Sequence, residues 1–208
     1  MKFRTEGPLI ITLELQEKIN RSLNETITLV KYDYSWPESF TLEKLFIQST
    51  LPKDLIIRIE HFGSTAIPGM TAKPVIDIMV EVTDLNEAHS IIPNLFEPHG
   101  YDYFPRPSSD NGKPPLIPFL TKWNRNNQRT HHIYFLDSSF TKYWDRLYFK
   151  DYLIINEEVA EEYRILKENI LKRNPSDRIA YTNAKTDFIS KITAMAKTSL
   201  TKNRLTKP

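Results

Sequence analysis

One stretch of this chain constrains its fold more than any other: residues 58–81, reading RIEHFGSTAIPGMTAKPVIDIMVE. It consists of a β-branched strand, a Gly-Ser turn, a Pro-Gly turn and a second strand that carries a single acid, Asp77, among apolar neighbours. Two of the chain's five glycines, Gly63 and Gly69, fall inside it. Glycine tolerates backbone angles that other residues resist, and a Gly63-Ser64 turn directly after a strand can offer free N–H groups to an anion. A phosphate suits such a turn.

Alternate residues of a strand point to opposite faces, so the second strand can be read in two rows. Ile76, Ile78, Val80 and Val82 form an apolar row expected to be buried, and Val75, Asp77, Met79 and Glu81 form the other. Asp77 is the odd member of that second row. Either it caps a turn or pairs with Lys73, or it carries chemistry.

The residues Glu60-His61-Phe62-Gly63-Ser64-Thr65-Ala66-Ile67-Pro68-Gly69 and Ala72-Lys73-Pro74-Val75-Ile76-Asp77-Ile78 resemble the core motif of the GrpB family, which looks like an outlying branch of the polymerase-beta-like nucleotidyltransferase superfamily. The resemblance continues in order along about residues 28–192. Tyr32-Asp33 with Trp36 and Phe40 is similar to the family's opening motif. Arg129-Thr130-His131-His132-Ile133-Tyr134, then Phe149-Lys150-Asp151-Tyr152-Leu153, then Tyr181, Lys185 and Phe188 follow downstream.

The resemblance implies a nucleotidyltransferase-like α/β fold, with a mixed sheet flanked by helices and C-terminal helices packed on it. It also implies metal-dependent transfer of a nucleoside monophosphate from a nucleoside triphosphate to an acceptor hydroxyl. Transferases of that superfamily use two carboxylates two residues apart, ~7 Å along a strand, to share divalent ions ~3.5 to 4 Å apart. This chain departs from that pattern. Whichever acid of the pair Asp77 matches, the other position holds Met79 or Val75, and Glu81 stands ~13 Å along the strand. Glu60, near the end of the first strand, is the candidate second ligand.

The implied catalytic set is therefore Asp77, Glu60, His131 and His132, with Asp77 and Glu60 holding Mg2+. Gly63, Ser64 and Thr65 would hold phosphate, with Lys73 and Arg129 neutralising its charge. Two other readings stay open: a nucleotide- or phosphate-binding module of the same fold with little or no transfer, or a structural protein in which Gly63-Ser64 is only a tight turn.

Around this centre the pattern predicts a helix within about 9–23 and a strand over about 26–32. A helix starting at Pro37 carries Phe40, Leu42, Leu45, Phe46 and Ser49 and ends at Leu51-Pro52. The first central strand spans about 55–62. Asp84 caps a helix whose apolar pattern Pro93 interrupts, and Gly100 terminates it. Residues 101–118 hold five prolines around Ser108-Ser109-Asp110-Asn111-Gly112, which reads as a long hairpin between two short strands. It is either a flap or a surface insertion.

The strand at about 128–137 places Arg129, His131, Ile133 and Phe135 on one face and Thr130, His132, Tyr134 and Leu136 on the other. Its histidines suit either a general base or ligand, or half-buried structural roles. Helices follow from Phe140, with Trp144, Leu147, Tyr148, Asp151, Tyr152 and Ile155 at helical spacing. The next begins after Asn156, and a last one spans about 178–195. Residues 1–25 read as a helical N-terminal extension, 26–196 as one domain with its C-terminal helices from about 140, and 197–208 as a disordered basic tail.

Lysine and arginine number 28 against 26 acids, a net of +2, which gives no strong signal for nucleic acid and none for a membrane surface. There is no cysteine, so disulfides and thiolate metal sites are excluded. With no signal peptide and no apolar run of bilayer length, the expectation is a cytoplasmic protein. The expected partner is a nucleoside triphosphate or another phosphorylated small molecule. Oligomeric state is not legible.

Overall fold

A computed structural model describes residues 12–23, 28–107, 116–173 and 178–205. Contacts divide the chain into two compact units that interleave along the sequence. One comprises Met1–Glu25, Tyr34–His61 and Val75–Phe140; the other comprises Thr26–Asp33, Phe62–Pro74 and Thr141–Pro208.

The first unit is a five-stranded mixed sheet with helices. Its elements are α1 (Leu13–Leu23), α2 (Trp36–Thr50), β1 (Ile56–Phe62, whose last residue opens a segment of the second unit), β2 (Ile76–Val82), α3 (Leu85–Phe96), β3 (Tyr101–Pro107), β4 (Leu116–Trp123) and β5 (Arg129–Leu136). The strand order is β1-β2-β5-β4-β3. β2 runs parallel to β5, while β4 is antiparallel to both β5 and β3. The hairpin expected from the proline-rich segment is β3–β4, and its middle residues, 108–115, lie outside the described set. Asp84 caps α3 by accepting from the N–H groups of Asn86, at 2.7 Å, and Glu87. Pro93 sits inside α3 without ending it, in the last turn, where it removes one backbone N–H donor.

Helix α2 shows which face of a helix tertiary contacts select. The expected apolar side included Leu42 and Leu45, which are exposed; the buried positions are Trp36, Glu43 and Ile47. Behind them Phe46 stacks on Tyr101, and Phe96 meets both Tyr101 and Phe135 edge-on. In β2 both rows are covered, for Val75 and Met79 are as buried as Ile76 and Ile78, so Asp77 is the half-buried exception in a strand packed on two sides.

The second unit is helical: α4 (Thr141–Ile155), α5 (Glu157–Arg173), α6 (Arg178–Asn183) and α7 (Thr186–Leu205). Of the strand expected over 26–32, residues 26 and 27 lie outside the described set, and the rest contributes one antiparallel bridge between Val30 and Ala72. The last helix is two, parted after Asn183, and α7 continues to Leu205 through most of the stretch expected to be a disordered tail. Ala196, fully buried, and the Lys197–Asp145 ion pair anchor α7 at the start of that stretch. In α4 the buried positions are Tyr143, Trp144, Phe149 and Leu153, whereas Ile155 is exposed.

The core of this unit explains why its loop has a defined shape. Ile67 and Met70, from the segment after β1, are buried with Phe149, Leu153, Tyr163 and Ile192. Burying each contributes about 1.5–3 kcal/mol, enough to clamp a short turn between two anchors. No helix among the described residues is long and apolar enough to cross a membrane.

Candidate functional site

The Gly63-Ser64 turn forms as the sequence predicts. Gly63 and Gly69 take φ values of 74° and 76°, the left-handed region in which a side chain is strained. Between them Ser64–Ala66 makes one 3-10 turn, closed by Ala66 N–H donating to the Gly63 carbonyl and Ile67 N–H to that of Ser64. Ser64 is half-buried, while Thr65 is buried. Lys73, near the end of the same loop, is half-buried.

The group that organises this turn is one that sequence reasoning missed. Lys167 of α5 is 1% exposed, and its Nζ donates to the Thr71 carbonyl and lies 3.3 Å from Ser64 Oγ. It also sits 4.7 Å from the centre of the Tyr163 ring, a cation–π contact. Burial, reinforced by the positive charge of Lys185, pushes its ammonium down to about 7. Both hydrogen-bond partners are neutral oxygens. The sequence did hold a signal: Tyr163, Lys167 and Ile170 are the buried positions of α5, at spacings of four and three, so a lysine stands in the apolar stripe.

Within the first unit, Asp77 belongs to a chain of three side chains. The β2–β5 register sets Asp77 opposite His132, and His132 Nδ1 lies 2.9 Å from Asp77 Oδ1. Its other nitrogen, Nε2, lies 2.9 Å from Arg129 Nη1. A guanidinium can only donate, so Nε2 accepts, and Nδ1 of the neutral ring carries the proton donated to the carboxylate. The tautomer follows from the partners alone.

Arg129 reaches His132 because the strand is irregular. Lys122 pairs with His131 but Trp123 pairs with Arg129, leaving Thr130 as an extra residue in β5. The bulge overturns the strict alternation expected for this strand: Arg129 does not share the face of His131 but turns to that of Trp123 and His132. Its guanidinium lies 5.0 Å from the Trp123 ring centre.

His131 faces the other way, as expected for its neighbour's opposite, and enters a different cluster. Glu43 of α2, 2% exposed, accepts from Tyr101 O–H and from Lys122 Nζ at 2.6 Å, and His131 Nε2 lies 3.8 Å from it. Burial holds the His131 imidazole below its ordinary value despite the attraction of Glu43. Burial and the nearby Glu43 charge together raise the Tyr101 hydroxyl. Glu43 was also missed, and its signal is again a charge in a helical stripe, Trp36-Phe40-Glu43-Ile47.

The structure thus joins Asp77, His132 and Arg129 in one chain, gives His131 to the Glu43 cluster, and ties Ser64 to Lys167. Glu60 is half-buried on β1, and Glu81 pairs with Arg58 at 2.5 Å. Among the described residues no three His, Asp or Glu side chains gather as a metal site.

Comparison with known proteins agrees with the motif. The family profile described as GrpB protein matches residues 26–195. Glutamate-rich protein GrpB of Alkalihalophilus pseudofirmus is 32% identical over 166 residues, 80% of this chain and 93% of that protein. YqkA of Bacillus subtilis is 31% identical over 163 residues, 78% of this chain but 45% of that longer protein. Among solved structures, conserved protein GrpB from Enterococcus faecalis superposes with a TM-score of 0.72 at 28% identity, covering 83% of this chain and 99% of that one. Cid1 poly(U) polymerase, solved with Mg and 3'-dATP bound, aligns at a TM-score of 0.49 and 14% identity, over 83% of this chain and 53% of that one.

Proposed function

The chain belongs to the GrpB family, and from that premise we propose that it binds phosphate-bearing small molecules, nucleoside triphosphates first among them, at the Gly63-Ser64 turn. The observation that carries this reading is Lys167: a buried ammonium held by neutral oxygens against a glycine turn whose serine is half-buried. Burying an ammonium costs several kcal/mol unless a negative charge offsets it, and a phosphate at the turn supplies that charge.

A second reading, metal-dependent nucleotidyl transfer to an acceptor hydroxyl, draws support from Asp77, whose side chain is 27% exposed on β2 where the superfamily motif places an acid. The donor set at Asp77 fits that reading poorly. Its carboxylate is engaged by an imidazole that is itself engaged by a guanidinium, and that positive charge disfavours a pair of divalent cations, which want hard oxygen ligands. We therefore place binding before transfer.

The test is calorimetric titration of ATP, GTP, CTP and UTP, with and without Mg2+, into the wild type and Asp77→Ala. Binding that needs no metal and survives the substitution is expected. Binding that requires Mg2+ and disappears in Asp77→Ala would return the transferase reading to first place, and no binding of any triphosphate would remove both.

A further inference from the structure

We propose that Lys167 makes the Ser64 turn a proton-coupled anion site, at which a phosphate-bearing ligand is bound together with uptake of one proton by the protein. The inference rests on the binding reading above and adds its regulation.

The charge of Lys167 sets the direction of its hydrogen bonds. An ammonium has three protons and no lone pair, so a charged Lys167 can only donate to Ser64 Oγ, 3.3 Å away, and to the Thr71 carbonyl. Ser64 Oγ then accepts from inside the protein, and its own O–H is left to donate to another acceptor. A neutral amine reverses this. It still donates to the Thr71 carbonyl, but its lone pair can accept the Ser64 proton and draw that O–H inward. The protonation state of one buried lysine therefore decides whether Ser64 offers a donor to an anion.

The groups around Lys167 keep that state near balance. Lys185 and Arg164 repel the ammonium, Glu168 attracts it, the Tyr163 ring favours it through its face, and Ser64 and Thr71 supply neutral oxygens. Burial dominates and brings the group to about 7. An anion seated at Ser64 adds the attraction that the folded protein does not supply there, so binding draws the proton back.

Proton uptake can be read on the unaltered chain. ATP and ADP are titrated calorimetrically at pH 7.5, 8.0, 8.5 and 9.0, each in two buffers of different ionisation enthalpy, where the ligands' terminal phosphates have largely lost their last protons. The expected result is uptake approaching one proton, with affinity falling up to ~10-fold per pH unit. Lys167→Arg, permanently charged, should bind without uptake and with a flat pH profile; Lys167→Met should lose both the uptake and most of the affinity. Wild-type binding with no proton uptake, or the same pH slope in Lys167→Met, would overturn the coupling while leaving phosphate binding in place. Failure of the wild type to bind either ligand would overturn both.

Discussion

Lys122 and Lys167 each donate to buried or half-buried polar groups, and they are held in opposite ways. Lys122 donates to Glu43, a carboxylate buried more deeply than the lysine, which also takes the Tyr101 hydroxyl. Lys167 donates to a carbonyl and a hydroxyl, with aromatic carbon behind it. In the first cluster charge meets charge within the fold, and breaking it leaves an uncompensated ion. In the second, among the described residues, the hydrogen-bond partners are dipoles and Glu168 attracts only from a distance, so the charged form carries a cost of burial that a bound anion would offset. The contrast separates a polar cluster that holds a structure together from one that the structure tolerates for another purpose.

Breaking the first cluster should have the largest effect. Glu43→Leu strands the Tyr101 hydroxyl and removes the partner of Lys122, and urea unfolding should show a loss of about 3 kcal/mol or more. If the loss is under about 1 kcal/mol, the cluster is not structural and the comparison fails.

The second cluster should respond with the opposite sign. A shift from 10.5 to about 7 means that folding below pH 7 carries the whole cost of burying the ammonium. Between about pH 7 and 10.5 the unfolded chain holds a proton that the native chain releases, so the wild type gains stability as pH rises. Lys167→Met removes the cost and loses two hydrogen bonds; its net gain at pH 6.5 should be on the order of 2 kcal/mol and should narrow towards pH 9.5. Thermal melts across that range measure it, and a destabilised Lys167→Met at pH 6.5 would count against the uncompensated charge.

The smallest effect sharpens the first cluster further. Burial lowers both His131, beside Glu43, and His89, which is held between the Tyr103 hydroxyl and the Leu116 carbonyl. Just below pH 6.5 the unfolded histidines bind protons that the folded ones refuse, so stability is complete above about 6.5 and declines as pH falls. A urea midpoint that is flat from pH 7 to 5 would oppose this. Imidazole titration followed by NMR can assign the two rings separately.

Much of the candidate site was legible because it is local. The 58–81 stretch shows its own turns: Gly63 and Gly69 do take positive φ, and the strand on either side follows from β-branched alternation. Asp77 stood out as a lone acid among apolar residues, and the two adjacent histidines had to diverge because a strand alternates. These inferences need only bond geometry and the period of two.

Contacts between distant segments were not legible in that way. Leu42 and Leu45 looked like the inner face of α2, yet Glu43 is buried there because Tyr101 and Lys122, from two strands, supply its hydrogen bonds. Arg129 reaches His132 only through the extra residue at Thr130, which exists in the register of β5 against β4 and not in β5 alone. The sequence by itself determined the turn, the strands around it and family membership, since each depends on neighbours along the chain. Tertiary structure decided which charges are satisfied: that a carboxylate meets Lys122 and that, among the described residues, none is hydrogen-bonded to Lys167 depends on residues 79, 96 and 103 positions away, brought together only by packing.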